Sequence, residues 1–320
     1  LFAHGKHFTA GIFGPDELRA LPASVAIQYA TRASVGYGTA DFSATISTAL
    51  AAATYAAFDA TTAGFSRCLR SISVKNFLPQ SVAAFSVSSL EKMVEHSEWP
   101  RALIQSSRLI EDAGVESWGL SFTVSREAMV NDAQSELALV FAALGHAAAL
   151  NRSAALATAL ELTSNTSDGS PFFTGSNLIT GFGSVSVSAL DAACDALYQS
   201  TLTAGGLSGV SPRYVIAPPK LAATAYATVM ACFGDTLRPD RVDVLICPHL
   251  TSDTTFYVCG DPAVSPALGL LHLGTSPEAR TMQVEQLSGG NTTVDGIRMA
   301  VRDDFRVVRM QRAAICKVTA

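Results

Sequence analysis

Charge is scarce in this chain of 320 residues. Only 15% of the residues are Asp, Glu, Lys or Arg, against about a quarter in ordinary soluble domains, while 48% are hydrophobic and the mean hydropathy is +0.28. Two readings account for the shortage: an unusually compact chain, or an outer surface buried against other subunits, since obligate interfaces resemble a domain core cut in half. Clustered base is missing too. The net charge is -5 and the pI is near 5.7, which excludes a protein that grips phosphate backbones through grouped Lys and Arg. The first forty residues carry only Lys6, Arg19 and Arg32 as bases, beside Asp16 and Glu17. That excludes a basic nucleic-acid arm and a polybasic membrane anchor.

No run of eighteen or more consistently apolar residues occurs, because Ser, Thr, Gly and Asn interrupt the long uncharged stretches; no membrane span is expected. A secretory signal is also missing, and the chain opens on Leu1 rather than Met. That start implies a removed upstream segment, unless the numbering simply begins there. The six cysteines, Cys68, Cys194, Cys232, Cys247, Cys259 and Cys316, form no CxxC, so buried, reduced thiols are expected. Cys247, His249 and Cys259 would suit a metal only if strands brought them together, and a fourth ligand at sensible spacing is missing.

Catalytic signatures are equally sparse. The sequence has no GxSxG elbow, no HExxH, no GxxxxGK[ST] loop and no strand-GxGxxG-helix unit. TGFGSVS lacks the third glycine and reads as a linker. His146, His249 and His272 lie in apolar sequence surroundings without a neighbouring acid to set a tautomer, so they read as satisfied core histidines. Asp303 and Asp304 sit in a strand pattern that sends successive side chains to opposite faces, which is no paired-carboxylate site. No catalytic, cofactor-binding or metal-ligating residue is assigned and no cofactor is expected; an enzyme with an unrecognised site around Cys247 and His249 is a remote alternative.

What is present is organisation. Residues 1 to about 40 sustain no helix or strand period and read as an extended arm that a partner must order. Asp41 to Phe58 reads as a helix, and SISVKNFLP after Arg70 as a strand stopped by Pro79. Residues 82 to 117 read as a long hairpin. Strand-like flanks, VAAFSVS and ALIQSSRLI, enclose a charged stretch with Glu91, Lys92, Glu95, Glu98 and Arg101, and its tip carries Trp99-Pro100. A tryptophan at such a tip marks a docking surface. FTVSREAMVND, Phe122 to Asp132, then turns from strand into helix. Ser125 suits the cap of a first turn, and Asn131 or Asp132 the cap of an alanine-rich helix running to Leu162, about thirty residues and roughly 45 Å. Its alanines and Gly145 let neighbours approach closely. Residues 164 to 185 are turn-rich. Beyond them helix and strand alternate: VSALDAACDALYQSTL and KLAATAYATVMACF as helices, RYVIAPP, VDVLIC and TFYVCG as strands. From about 280 strands dominate, with MQVEQL, TTVDGIRMAVRDDF about an Asp295-Gly296 turn, and RVVRMQRAAICKV.

FTVSREAMVND resembles the segment leading into the spine helix of tailed-phage major capsid proteins of the Mu type, which share the HK97-like capsid fold. Further stretches keep that family's order. SDGSPFFTG (Ser167 to Gly175) resembles its DG-x-x-F loop, and SPRYVIAPPKLAATA (Ser211 to Ala225) its strand-to-helix step. VDVLICPHLTSDTTFYVCGDP (Val242 to Pro262) resembles its strand pair ending in a DP turn, and VDGIRMAVRDDF (Val294 to Phe305) its strand near the C-terminus. Asn76 to Pro79 echo the start of its extended loop. The chain departs at Ala133, where the family often has a second Asp, and at Gly175-Ser176-Asn177, where it often has His-Gly-Asn.

The resemblance implies an α+β, HK97-like phage capsid fold. Residues 1-40 would be the N-arm and 82-117 the extended E-loop, with Lys92, Trp99 and Arg101 as candidate inter-subunit contacts. Residues 41-81, 118-185 and 276-320 would form the peripheral (P) domain with spine helix 124-163, and 186-275 the axial (A) domain. It implies a non-enzymatic major head subunit of a bacteriophage (Caudoviricetes), assembling with itself through hexamers and pentamers into an icosahedral shell around dsDNA, enclosed without sequence-specific binding. Portal, scaffold, maturation protease and decoration or cement proteins are the implied partners, with no membrane. Assembly in the host bacterial cytoplasm, residence in the virion capsid and a maturation cleavage immediately before Leu1 are also implied. Some relatives cross-link their loops through Lys-Asn bonds, for which Lys92 is the one lysine in the loop. The alternative on the same fold is an encapsulin-like cellular nanocompartment shell.

Overall fold

The computed structural model describes residues 39-62, 64-79, 83-87, 104-108, 113-125, 136-166, 169-182, 184-201, 209-234, 242-274, 282-286 and 296-319. In chain order the elements are α1 (Thr39–Thr62), β1 (Leu69–Val74), β2 (Ala83–Val87), β3 (Ile104–Arg108), β4 (Glu116–Ser125) and α2 (Glu136–Glu161). There follow β5 (Leu178–Ile179), α3 (Val187–Tyr198), β6 (Pro212–Ala217), α4 (Ala222–Phe233), β7 (Asp243–Ile246) and β8 (Phe256–Gly260). The chain ends with β9 (Leu268–Leu273), β10 (Met282–Gln286), β11 (Gly296–Arg309) and β12 (Ile315–Val318). It divides into two compact units, the first comprising residues 1-61, 117-150 and 282-303, the second residues 62-116, 151-281 and 304-320.

In the first unit β10 runs antiparallel to β11, with Met282 opposite Asp303 and Gln286 opposite Met299, and β4 also pairs with β11. Its apolar centre joins Phe58, Ala149 and Val301 to the partly buried Tyr55, Phe122, Ala148 and Val284. Phe122 meets Phe141 edge to face at 4.8 Å. Tyr55 satisfies its hydroxyl by accepting from the Val284 amide at 3.0 Å. α1 and α2 touch where Gly145 faces the Thr54 carbonyl and the Phe58 amide, so closely that a Cβ would overlap that backbone. The close approach expected of Gly145 is therefore present, and α1 is its beneficiary.

The second unit is built on a five-stranded sheet of order β5-β12-β8-β6-β7. β6 and β7 are parallel, while β8 runs antiparallel to both β6 and β12. Strand alternation divides its side chains cleanly. Tyr214, Ile216, Tyr257, Cys259 and Ile315 share a core with Leu156, Ala157 and Leu160 of α2. Val215, Ala217, Val258 and Cys316 pack with Ala189, Leu190, Ala193 and Leu197 of α3 and Ala225 and Val229 of α4. α3 begins at Ser186, whose hydroxyl accepts from the Ala189 amide at 3.2 Å, an ordinary N-cap. Elsewhere in the unit β1 runs parallel to β9, and the end of β11 pairs antiparallel with β9 from Phe305 opposite His272 to Arg309 opposite Leu268.

Several expectations need correction. The long helix does not begin at 124: Val124 and Ser125 finish β4, where Val124 is buried, and residues 126-135, where the first turn expected after Ser125 would fall, lie outside the described residues. The described helix is Glu136–Glu161, with Leu162 and Thr163 beyond its end. Asn131 and Asp132 lie outside the described residues. β1 stops at Val74, five residues before Pro79, and Lys75 to Leu78 form a bend. β9 was not expected. Its continuous apolar run, ALGLLHLG, lacks the two-residue period because the strand is buried on both faces between β1 and β11. The break expected at Phe305-Arg306 is absent, for Gly296–Arg309 is a single strand and the interruption falls at Met310-Gln311, before a turn of 3-10 helix over Arg312–Ala314. Asp295 lies outside the described residues.

One correction concerns hydropathy. Ala138–Glu161 is long and apolar enough, by length and composition, to cross a membrane, because isolated polar residues break the run without lowering its average much. Its polar groups are used within the fold. The Arg152 guanidinium lies 5.2 Å over the Phe305 ring, and Ser153 and Glu161 bind the segment after β7. A helix whose polar side chains point at protein partners is a core helix.

The hairpin expected over 82-117 is present at its base, where β2 and β3 pair antiparallel from Ala83 opposite Arg108 to Val87 opposite Ile104. Lys92, Trp99 and Arg101, together with Leu1 and the arm up to residue 38, lie outside the described residues.

Candidate functional site

Chemistry has its best opportunity at the three described histidines, and each of these has a hydroxyl partner that sequence proximity does not reveal. His146 Nδ1 lies 3.1 Å from Thr61 Oγ1, His249 Nδ1 2.6 Å from Ser153 Oγ, and His272 Nε2 2.9 Å from Ser71 Oγ. The partners are 85, 96 and 201 residues away in sequence, beyond the reach of any local pattern. Only His272 is the buried core histidine expected; His146 and His249 are exposed.

The Ser153–His249 pair has the geometry of a nucleophile and base but not the setting. Ser153 is fully buried within α2, so no substrate carbonyl reaches its hydroxyl. The nearby carboxylate, Glu161, directs Oε1 to the amides of Thr251 and Ser252 and Oε2 to the Thr251 hydroxyl. Asp303 and Asp304 are both buried, and the strand alternation of β11 sends them to opposite faces.

The thiols behave as small hydrophobes. None of the six cysteines forms a disulfide, and all except the half-buried Cys232 are buried. Burial pushes the Cys68 and Cys316 thiols from 9.0 up to about 12. It raises Cys194 to about 12 as well, with the carboxylates of Asp191 and Asp195 and the thiols of Cys232 and Cys316 adding to the effect. Burial likewise raises Cys247 and Cys259. These are protonated, inert thiols. Cys247 donates to the Ser153 carbonyl and Cys259 to the Tyr214 carbonyl, each at 3.6 Å. Among the described residues no group of three or more His, Cys, Asp or Glu is placed to hold a metal.

The side chains that organise the second unit were not singled out by sequence. Asn177 is buried and uses its whole amide: Oδ1 accepts from the Thr174 amide at 2.7 Å, and Nδ2 points at the carbonyls of Phe172, Arg312 and Ile315. It is the one residue of Gly175-Ser176-Asn177 that agrees with the His-Gly-Asn pattern, which was the available signal. Arg309 is buried under the end of α2. Its guanidinium donates to the carbonyls of Leu162 and Ser164 and to the Ser164 hydroxyl, and lies 5.4 Å over the Phe172 ring. Arg309 thereby supplies positive charge where the helix carbonyls end.

The scarcity of charge has a visible counterpart at the surface. α4 carries no charged residue, and Ala223, Tyr226, Ala227, Met230 and Ala231 are exposed at helical spacing. In the first unit Trp118 and Leu120, on one face of β4, and Leu139 and Val140 of α2 are exposed as well. Such surfaces are what subunits of an assembly present to one another.

The comparisons agree with that character. The sequence profile of a family described as phage capsid protein matches residues 110-318. The chain belongs to that family, and its α+β fold is of the HK97-like capsid type. In structure it is similar to a phage-related protein from Bordetella bronchiseptica RB50, at 12% identity and a TM-score of 0.52 over 84% of this chain and 95% of that one. It is also similar to the capsid of cyanophage P-SCSP1u (14% identity, TM-score 0.48, 80% of this chain and 87% of that one). The SrpI encapsulin from Synechococcus elongatus PCC 7942 gives 10% identity and a TM-score of 0.46, over 80% and 86%. At such identities likeness speaks of fold alone, and the two scores below 0.5 carry no weight. No curated protein matches in sequence. Family and fold together define a structural, shell-forming capsid protein.

Proposed function

We infer that this chain is the major head subunit of a tailed phage, of the Mu-like type, and that hexamers and pentamers of it close into an icosahedral shell around dsDNA. The observation that carries the reading is the ordered set of family stretches from FTVSREAMVND to VDGIRMAVRDDF, all of it inside the region that the phage capsid family matches. The chain works by repeated geometry rather than by chemistry. Many weak contacts close cooperatively, and an acidic subunit of net charge -5 encloses DNA without gripping it. On this reading residues 1-40 are the N-arm, 82-117 the E-loop lying over a neighbour through Lys92, Trp99 and Arg101, and 186-275 the axial domain. Residues 41-81, 118-185 and 276-320 are the P-domain, with α2 within its spine. Portal, scaffold and maturation protease take part in assembly in the host bacterial cytoplasm. Added cement proteins complete the scheme.

Purified particles test it. Ultraviolet absorbance with a nucleic-acid maximum in closed shells, released as dsDNA on disruption, is expected from particles made during infection. Closed shells that carry protein cargo and never DNA would instead identify a cellular nanocompartment.

A further inference from the structure

The segment joining β7 to β8, residues 247-255, is held along the last turns of α2 at two separated points. Ser153 Oγ meets His249 Nδ1 at 2.6 Å. Farther along the helix Glu161 accepts from the Thr251 amide at 2.7 Å, the Thr251 hydroxyl at 2.9 Å and the Ser252 amide at 3.4 Å. The helical attachments are a little over two turns apart, about 12 Å along the axis and about 80° around it. Their partners are two or three residues apart, about 7 to 10 Å of extended chain, so the segment runs beside the helix in the same direction. Between the two points Leu250 is buried in the core that also receives Leu156, Ala157 and Leu160, and after them Thr255 is buried. The intervening Thr251, Asp253 and Thr254 are exposed and Ser252 is half-buried.

The attachments differ in strength. Asp253 pairs with Lys220 at 2.9 Å, but both side chains are more than half exposed, and such a pair contributes little. Glu161 is a charged acceptor for two backbone amides and a hydroxyl, the stronger class of hydrogen bond. Within the segment Ser252 Oγ donates to Thr255 Oγ1 at 2.8 Å, so Glu161 is the attachment of the Thr251 and Ser252 backbone to α2, while Leu250 and Thr255 are held by burial.

We propose that residues 251-254 form a strap that opens as a local unit, pinned by Glu161 and anchored by Leu250 and Thr255. Closed, it ties the connection between β7 and β8 to α2 and fixes how the five-stranded sheet turns against that helix. The strap is a conformational device independent of what the assembled protein encloses.

Hydrogen exchange on the full-length protein, followed by mass spectrometry of peptides covering 249-256, is the test. In Glu161→Ala, exchange over 251-254 is expected to quicken by about 10-fold or more, while β8 stays as protected as in the parent chain. Glu161→Gln, which keeps the shape and one acceptor oxygen, is expected to fall between the two. Lys220→Ala should change exchange by less than about 3-fold. Exchange over 251-254 within about 2-fold of the parent in Glu161→Ala overturns the proposal, as does an equal rise in β8. Where Glu161→Ala does not fold, the same comparison in Glu161→Gln decides.

Discussion

Arg309 heads the fully buried side chains by size among the described residues, and its guanidinium donates to the Leu162 and Ser164 carbonyls and the Ser164 hydroxyl on the chain just past α2. Arg309→Met would fill the space but leave the Leu162 and Ser164 carbonyls unsatisfied, at a cost on the order of 3 kcal/mol. A lower denaturation midpoint checks it, and Arg309→Lys, which keeps charge without the planar fork, should recover only part. Gly145 has the opposite character, being required for what it lacks. Gly145→Ala places a methyl against the Thr54 carbonyl, forcing α1 and α2 apart at a cost of about 1 to 3 kcal/mol. Gly145 was legible in the sequence as a small residue in an apolar helix, whereas Arg309 and Asn177 were not, because their partners are carbonyl groups that carry no residue-type signal. The thiols add a pH dependence. Cys68, Cys194 and Cys316 hold their protons to about 12 in the fold, against 9.0 ordinarily. Between those values the unfolded chain binds fewer protons than the native one. Stability is therefore full below about pH 9 and falls as pH rises through about 12, which a series of unfolding curves from neutral to alkaline pH measures. Alkylating reagents should leave these thiols unmodified until the fold opens.

The helices α3 and α4 were legible from period, and the strands β6, β7 and β8 as short apolar runs bounded by turn residues, with ends shifted by a few positions. β9 has no alternation because both its faces are buried, and β11 was read as two strands meeting at Phe305-Arg306, in a stretch charged by Arg302, Asp303, Asp304 and Arg306. Two of those charges, Asp303 and Asp304, are buried, a tertiary outcome that no local rule anticipates. The end of β4 was legible in Phe122, Thr123 and Val124, and the strand closes one residue later at Ser125. The hairpin β2-β3 was legible from its flanks, and its tip is where the proposed function makes an element-scale prediction. Deleting Glu95 to Arg101 should leave subunits folded, with an unchanged circular dichroism spectrum, while particles dissociate at lower temperature. Particles with parental thermal stability would remove the E-loop from the assembly contacts.

At the scale of the whole molecule, low charge, exposed apolar side chains and family membership describe a chain designed to be covered by its own copies. A 320-residue chain with 15% charged residues gains solubility by association when each copy hides part of its neighbour. What the sequence could not convey was how its distant parts meet: the histidine-hydroxyl pairs, the Asn177 knot and the Glu161 strap all join residues separated by long stretches of chain. The function was legible nonetheless, since a family signature survives in short ordered stretches even where contacts do not. The most direct measurement is an electron micrograph of the purified full-length protein. Closed icosahedral shells built of five- and six-fold capsomers are the predicted result; a population consisting only of monomers or small open oligomers under all assembly conditions would contradict the account.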